Sequence, residues 1–185
     1  MDYKKQDVTL DDISRMFGPT EVGIIKLQFK ENVSTIVEKF YKIYEEKHPD
    51  FLHKEEEFID LLNYLKQKSI KLGIVTGKGS ETLKISLRLL KMDEYFDVLI
   101  SGDDTTNPKP DPEGIIKALN ILNISPERIL FVGDSDADIG AGKNAKVLYT
   151  IGVDWLSDFI KIKLKPDYFF NNVNDFKNFV EKLLD

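Results

Sequence analysis

From residue 71 onward, short β-branched runs alternate with amphipathic helical stretches, and this alternation restricts the chain to a parallel sheet flanked by helices. Helices are predicted near 55–68, 80–91 and 112–122, each leading into a strand: KLGIVT at 71–76, DVLIS at 97–101 and RILFV at 128–132. A short helix from Ala137 leads into KVLYTI at 146–151, and a weaker strand at 168–170 precedes an amphipathic helix at 173–184. Upstream the texture changes. Between Thr9 and about His48 every signal is helical, and Val33, Ile36, Val37, Phe40, Tyr41 and Tyr44 fall on one helix face. Gly18 and Pro19 break this region, and Thr20 is placed to cap the next helix. Residues 1–52 therefore read as a small all-helical unit and 53–185 as an α/β core.

In such a sheet, polar residues meet beyond the carboxyl ends of the strands. Here those ends carry Thr76-Gly77-Lys78, Ser101-Gly102-Asp103-Asp104 and Gly133-Asp134-Ser135-Asp136-Ala137-Asp138, with Lys109 in the loop after the second strand. Hydroxyl and backbone donors, a cation and paired carboxylates suit a phosphate held beside Mg²⁺, an ion that takes one or two carboxylates together with waters and phosphate oxygens. Pro108 and Pro110 stiffen the backbone on either side of Lys109.

Other residues have plainer readings. Asp103, Asp104 and Asp136 read as loop or turn residues, His48 and His53 as solvated, and Trp155 as packing. Taken alone, Asp134 and Asp138 would serve to cap the helix that follows them. Arg15 and Glu21 flank the helical break, where facing a substrate is the lesser of their two readings. GIVTGKG is not a nucleotide phosphate loop, because Gly73 and Gly77 are one residue too close and Gly79 replaces the required Ser or Thr. A receiver domain would run Asp, then Thr, then Lys, whereas Thr76 and Lys109 here precede Asp134.

Composition removes further classes. With no cysteine there are no disulfides, thiolate metal sites or cysteine nucleophiles, and a net charge of -6 argues against a nucleic-acid surface. No run of about 18 apolar residues suggests a membrane span, and MDYKKQDVTLDD lacks the apolar core of a signal peptide, so a soluble cytoplasmic protein is expected.

The three strand-end motifs, in this order, resemble the haloacid dehalogenase (HAD) superfamily of phosphatases from about Phe51 to the C-terminus. GIVTGK with Thr76 matches its second motif, NPKPDPEG with Lys109 its third, and GDSDADIGAGKNA with Asp134 and Asp138 its fourth. The resemblance implies a Rossmann-like core, with residues 1–52 as the latter part of a helical cap. It implies hydrolysis of a small phosphorylated metabolite through an aspartyl-phosphate. It assigns Thr76 and Lys109 to catalysis, Thr76, Gly77, Lys78 and Lys109 to phosphate, and Asp134 and Asp138 to Mg²⁺.

The family's first motif is an apolar strand ending in DxDGTL, which supplies the nucleophile and the general acid and base. Its nearest echo is Asp7-Val8-Thr9-Leu10, which puts Lys5 at the nucleophile position; this stretch reads better as the lead-in to a helix holding Ile13, Met16 and Phe17, capped by Thr9. The chain is therefore expected to begin inside the cap, as a truncated product or from a mis-assigned start, with weak Mg²⁺ binding and no turnover. The missing strand would be central, between those ending at Thr76 and Asp134, and its burial is worth on the order of 10 kcal/mol, comparable with a domain's net stability. Two outcomes are expected for the slot: direct pairing of its flanking strands, or strand exchange and self-association. The alternative function is a non-catalytic binding or assembly module that engages a partner through this slot or through the cap.

Overall fold

The computed structural model describes Thr9 and residues 19–51, 56–155 and 162–184. The expected helix around Ile13 and Met16, along with Arg15, His53 and the linker at 52–55, lies outside the described residues.

Two helices come first, α1 (Glu21–Gln28) and α2 (Val33–Lys47). Thr20 caps α1, its hydroxyl accepting the Gly23 N–H at 3.3 Å. The predicted apolar face of α2 is its half-buried face: Val33, Ile36, Val37, Phe40, Tyr41 and Tyr44 are all partly covered. No residue of α1 or α2 is fully buried, so this layer rests on the core instead of forming a core of its own. α1 packs on α2, and α2 on α4.

The core then alternates α3 (Glu56–Gln67), β1 (Gly73–Val75), α4 (Ser80–Leu90), β2 (Val98–Ile100), α5 (Glu113–Leu122), β3 (Leu130–Gly133), α6 (Asp136–Ala145), β4 (Tyr149–Val153), β5 (Tyr168–Phe170) and α7 (Val173–Leu184). All strand pairs are parallel, in agreement with the expected α/β class. The strands are shorter than their apolar runs. The fourth also starts later than predicted, because Lys146 closes α6 in the left-handed conformation (φ 57°), the Val147 amide bonds back to the Gly142 carbonyl of α6 and the Leu148 amide to the Pro126 and Ile129 carbonyls. Likewise β3 begins at Leu130, after a 3₁₀ turn at Pro126–Arg128.

Among the described residues the strands form two sheets, β1-β2 and β3-β4-β5. β1 and β3 do not pair with each other, so the direct closure considered from the sequence is not seen. Helices on both faces join the halves. On α3, Leu61 packs with Ile151, Val153, Val173, Phe176 and Val180, while the adjacent Leu62 packs with Leu83, Leu87 and Met92. On the other face, Ile115 and Leu119 of α5 and Ala141 and Ala145 of α6 receive both Val75 of β1 and Phe131 of β3. α5 packs on β1 and β2, α6 on β3 and β4, and the two helices on each other, which holds the halves together without a shared ladder.

Candidate active site

The Thr76 N–H donates to the Ile100 carbonyl at 2.9 Å, extending the β1-β2 ladder by one bond. In a parallel ladder, alternate residues bond to opposite sides. Val75 therefore turns its carbonyl away from β2, where Lys109 Nζ donates to it at 3.2 Å. The same ammonium donates to Asp138 Oδ1 at 2.6 Å, so Lys109 ties the end of β1 to the first turn of α6.

Asp138 is 6% exposed and both of its oxygens are engaged. Oδ2 accepts from the Ser135 hydroxyl at 2.5 Å and the Ser135 N–H at 3.2 Å, and Ser135 Oγ accepts the Asp138 N–H in return. This reciprocal capping box starts α6. The capping reading of Asp138 and its membership of the polar cluster are thus both realised. Gly133 permits the arrangement, since a Cβ there would stand 2.2 Å from the Asp138 Cβ.

Asp134 follows β3 and is half-buried. Burial pushes its carboxyl above the usual carboxylate range and Asp138 adds repulsion, while its own backbone N–H and Lys109 pull the other way. No cluster of three ligating side chains converges among the described residues. The donor chemistry still fits a hard cation completed by waters and phosphate oxygens, with Asp134 as the carboxylate not spent on a side-chain partner and Asp138 held beside it.

Thr76, Gly77 and Lys109 line one cavity of about 240 Å³ at the strand ends. Its wall includes Gly102, Thr105, Thr106 and Asn107, and its roof is Pro19, Thr20 and Gly23 from the start of α1. Gly77 is exposed, with nothing within 4 Å of where a side chain would begin, so a ligand can approach its backbone. A larger concavity of about 470 Å³, between Lys66, Arg88 and Tyr95, is open and holds none of the strand-end residues.

Lys78 points elsewhere. Its backbone N–H donates to Thr76 Oγ1 at 3.3 Å, but its ammonium bonds to the Tyr44 hydroxyl on α2. That hydroxyl lies 3.0 Å from Ser86 Oγ and 3.2 Å from His48 Nε2, and His48 Nε2 lies 2.8 Å from Ser86 Oγ. His48, expected to be solvated, is instead stacked on Tyr44 at 4.5 Å and bonded to the core. The i to i+4 spacing of Tyr44 and His48 was the signal for this, since it sets both side chains on the half-buried face of α2.

Glu21 takes the structural one of its two readings. It does not line the cavity; Oε2 accepts the Gly79 N–H at 2.7 Å and Oε1 accepts from the Thr82 hydroxyl at 2.9 Å. Asp103, Asp104 and Asp136 accept backbone amides, as turn residues do, at Ser80, Ser101 and Lys163 respectively. Trp155 packs on Phe176 at 5.9 Å, also as expected.

Residues 1–152 match the family described as haloacid dehalogenase-like hydrolase. The chain is 33% identical over 175 residues to the pyrophosphatase PpaX of Bacillus cereus strain B4264, covering 94% of this chain and 78% of that protein. The PpaX of Bacillus mycoides strain KBAB4 is 31% identical over the same share of this chain and 81% of its own length. Among solved structures, a HAD-superfamily hydrolase of subfamily IA from Geobacter sulfurreducens superposes with a TM-score of 0.63 at 28% identity, covering 80% of this chain and 74% of that one. CbbY from Rhodobacter sphaeroides shares the fold, with a TM-score of 0.74 at 17% identity over 93% and 82% of the two chains. With this coverage and the ordered strand-end motifs, the chain belongs to the haloacid dehalogenase-like hydrolases.

Proposed function

We propose that this chain carries the phosphate- and magnesium-binding part of a phosphatase site for a small phosphorylated metabolite. One observation carries the reading: Lys109 joins Asp138 while lining the same cavity as Thr76 and Gly77. The Thr76 hydroxyl and Gly77 backbone would receive phosphate oxygens and Lys109 would neutralise them, whereas the Lys78 ammonium is engaged by Tyr44. Asp134 would hold Mg²⁺ directly, with Asp138 fixing Lys109 and the local charge beside it. Bound there, the ion would supply charge neutralisation to the phosphate oxygens. The pyrophosphatase name of the relatives supports phosphoester or phosphoanhydride chemistry.

The 185 residues contain no apolar run ending in DxDGT. Of the carboxylates lining the cavity, Asp103 accepts the Ser80 N–H and Asp111 accepts the Glu113 N–H. We therefore expect binding without turnover. Calorimetry should detect inorganic phosphate in the presence of Mg²⁺, weakened by Lys109→Ala, while p-nitrophenyl phosphate with Mg²⁺ should give no product. Turnover by this chain that is lost in Asp134→Ala would overturn the expected inactivity.

The split sheet favours a second reading, a binding module. Edges of β1 and β3 without a ladder partner among the described residues are templates for an added strand.

A further inference from the structure

The first two amides at the start of α4 are both taken by carboxylates of the chain itself. Gly79 N–H bonds to Glu21 at 2.7 Å, and Ser80 N–H bonds to Asp103 at 2.8 Å. A helix start of this kind attracts anions. Here Glu21 uses it to fasten the upstream helical layer to the core, and Asp103 to tie down the loop after β2.

The fastening sits directly above the cavity. Glu21 is the first residue of α1, and Pro19 and Thr20 immediately before it form the cavity roof. The fit beneath is close: a Cβ on Gly102 would meet the Gly77 carbonyl at 2.5 Å and Thr20 Cγ2 at 2.7 Å. Glu21 also bonds to Thr82, which is fully buried, and the Thr82 hydroxyl has the Gly79 carbonyl at 3.0 Å as a second acceptor. The roof is thus tied to the start of α4 through this carboxylate, in addition to the packing of α1 on α2.

We propose that Glu21 is a positioning residue that holds Pro19 and Thr20 over the cavity, so that these two residues determine which leaving group fits beside Thr76 and Lys109. The selectivity part rests on the phosphatase reading; the positioning part does not. Glutamine can reproduce the arrangement: its carbonyl oxygen accepts from Gly79, its amide donates to Thr82 Oγ1, and the Thr82 hydroxyl then donates to the Gly79 carbonyl. Alanine leaves the Gly79 N–H without its partner.

The test compares wild type, E21Q and E21A by amide hydrogen exchange without ligand, and by calorimetry with Mg²⁺ using inorganic phosphate and glycerol 3-phosphate. In E21A, peptides covering 19–28 should exchange about tenfold faster, the scale of one lost hydrogen bond to a charged group, with β4 unchanged and E21Q close to wild type. Glycerol 3-phosphate should bind E21A about tenfold more weakly, while inorganic phosphate, which does not reach the roof, should bind as before. Unchanged exchange in E21A, E21Q as impaired as E21A, or an equal loss for both ligands would overturn the proposal. If wild type binds neither ligand, the phosphatase reading and the selectivity built on it fall together, and the exchange result alone decides the positioning role of Glu21.

Discussion

Asp134, the proposed Mg²⁺ ligand, also bears on stability. Its carboxyl is shifted upward, first by burial and then by Asp138, so the folded chain binds its proton more tightly than the unfolded chain does. Stability therefore falls as pH rises from the unfolded value of about 4 through the raised folded value. Asp134→Asn should raise the melting temperature at pH 7 in the absence of divalent ions and flatten its decline above pH 4. Mg²⁺ should stabilise wild type and leave the asparagine variant unmoved. Thermal melts from pH 4 to 8, with and without Mg²⁺, check both expectations; a variant that melts below wild type at pH 7 would show that Asp134 is not under electrostatic strain.

At the scale of elements, α2 and α4 meet through a polar chain of Lys78, Tyr44, His48 and Ser86, extended by the Arg88–Glu45 pair at 2.6 Å. Burial, and then Lys78, lowers the His48 pKa, so the unfolded chain takes up a proton before the folded one does. The contribution of His48 to stability is complete above the unfolded value of about 6.5 and is lost as pH falls through it. The melting temperature should drop between pH 7.5 and 5.5, and His48→Gln should reduce that drop while lowering the starting value. An undiminished drop in the variant would assign the pH dependence elsewhere. The half-buried face of α2 was legible because helical periodicity marks it residue by residue. Its partner was not, because Ser86 and Lys78 lie about forty residues downstream and only the fold brings them to Tyr44. The contact of Glu21 was illegible for the same reason: a carboxylate beside a helical break gives no sign that its acceptors will be claimed by an amide 58 positions away.

For the whole molecule, the order of helices and parallel strands was legible from the alternation of apolar runs, and the strand-end motifs identified Thr76, Lys109, Asp134 and Asp138 as a group. Strand limits were less legible, since left-handed closures such as Lys146 and the turn at Pro126–Arg128 trim apolar runs that read as continuous strand. The separation into two sheets has a consequence in solution. Edges without a ladder partner among the described residues, carrying exposed apolar residues such as Val132, favour pairing with another chain. Light scattering coupled to size exclusion should show a concentration-dependent dimer, with β1 and β3 amides better protected from exchange as it forms; a strict monomer at high concentration would remove the strand-exchange reading. Lys109 adds a limit of valence. An ammonium has three N–H bonds to give, and here one goes to the Val75 carbonyl and one to Asp138. A ligand in the cavity can draw one bond from Lys109 at no expense to the fold; a second must come from the bond that helps hold the two half-sheets together, so a ligand that demands it would be felt as a loosening of the protein.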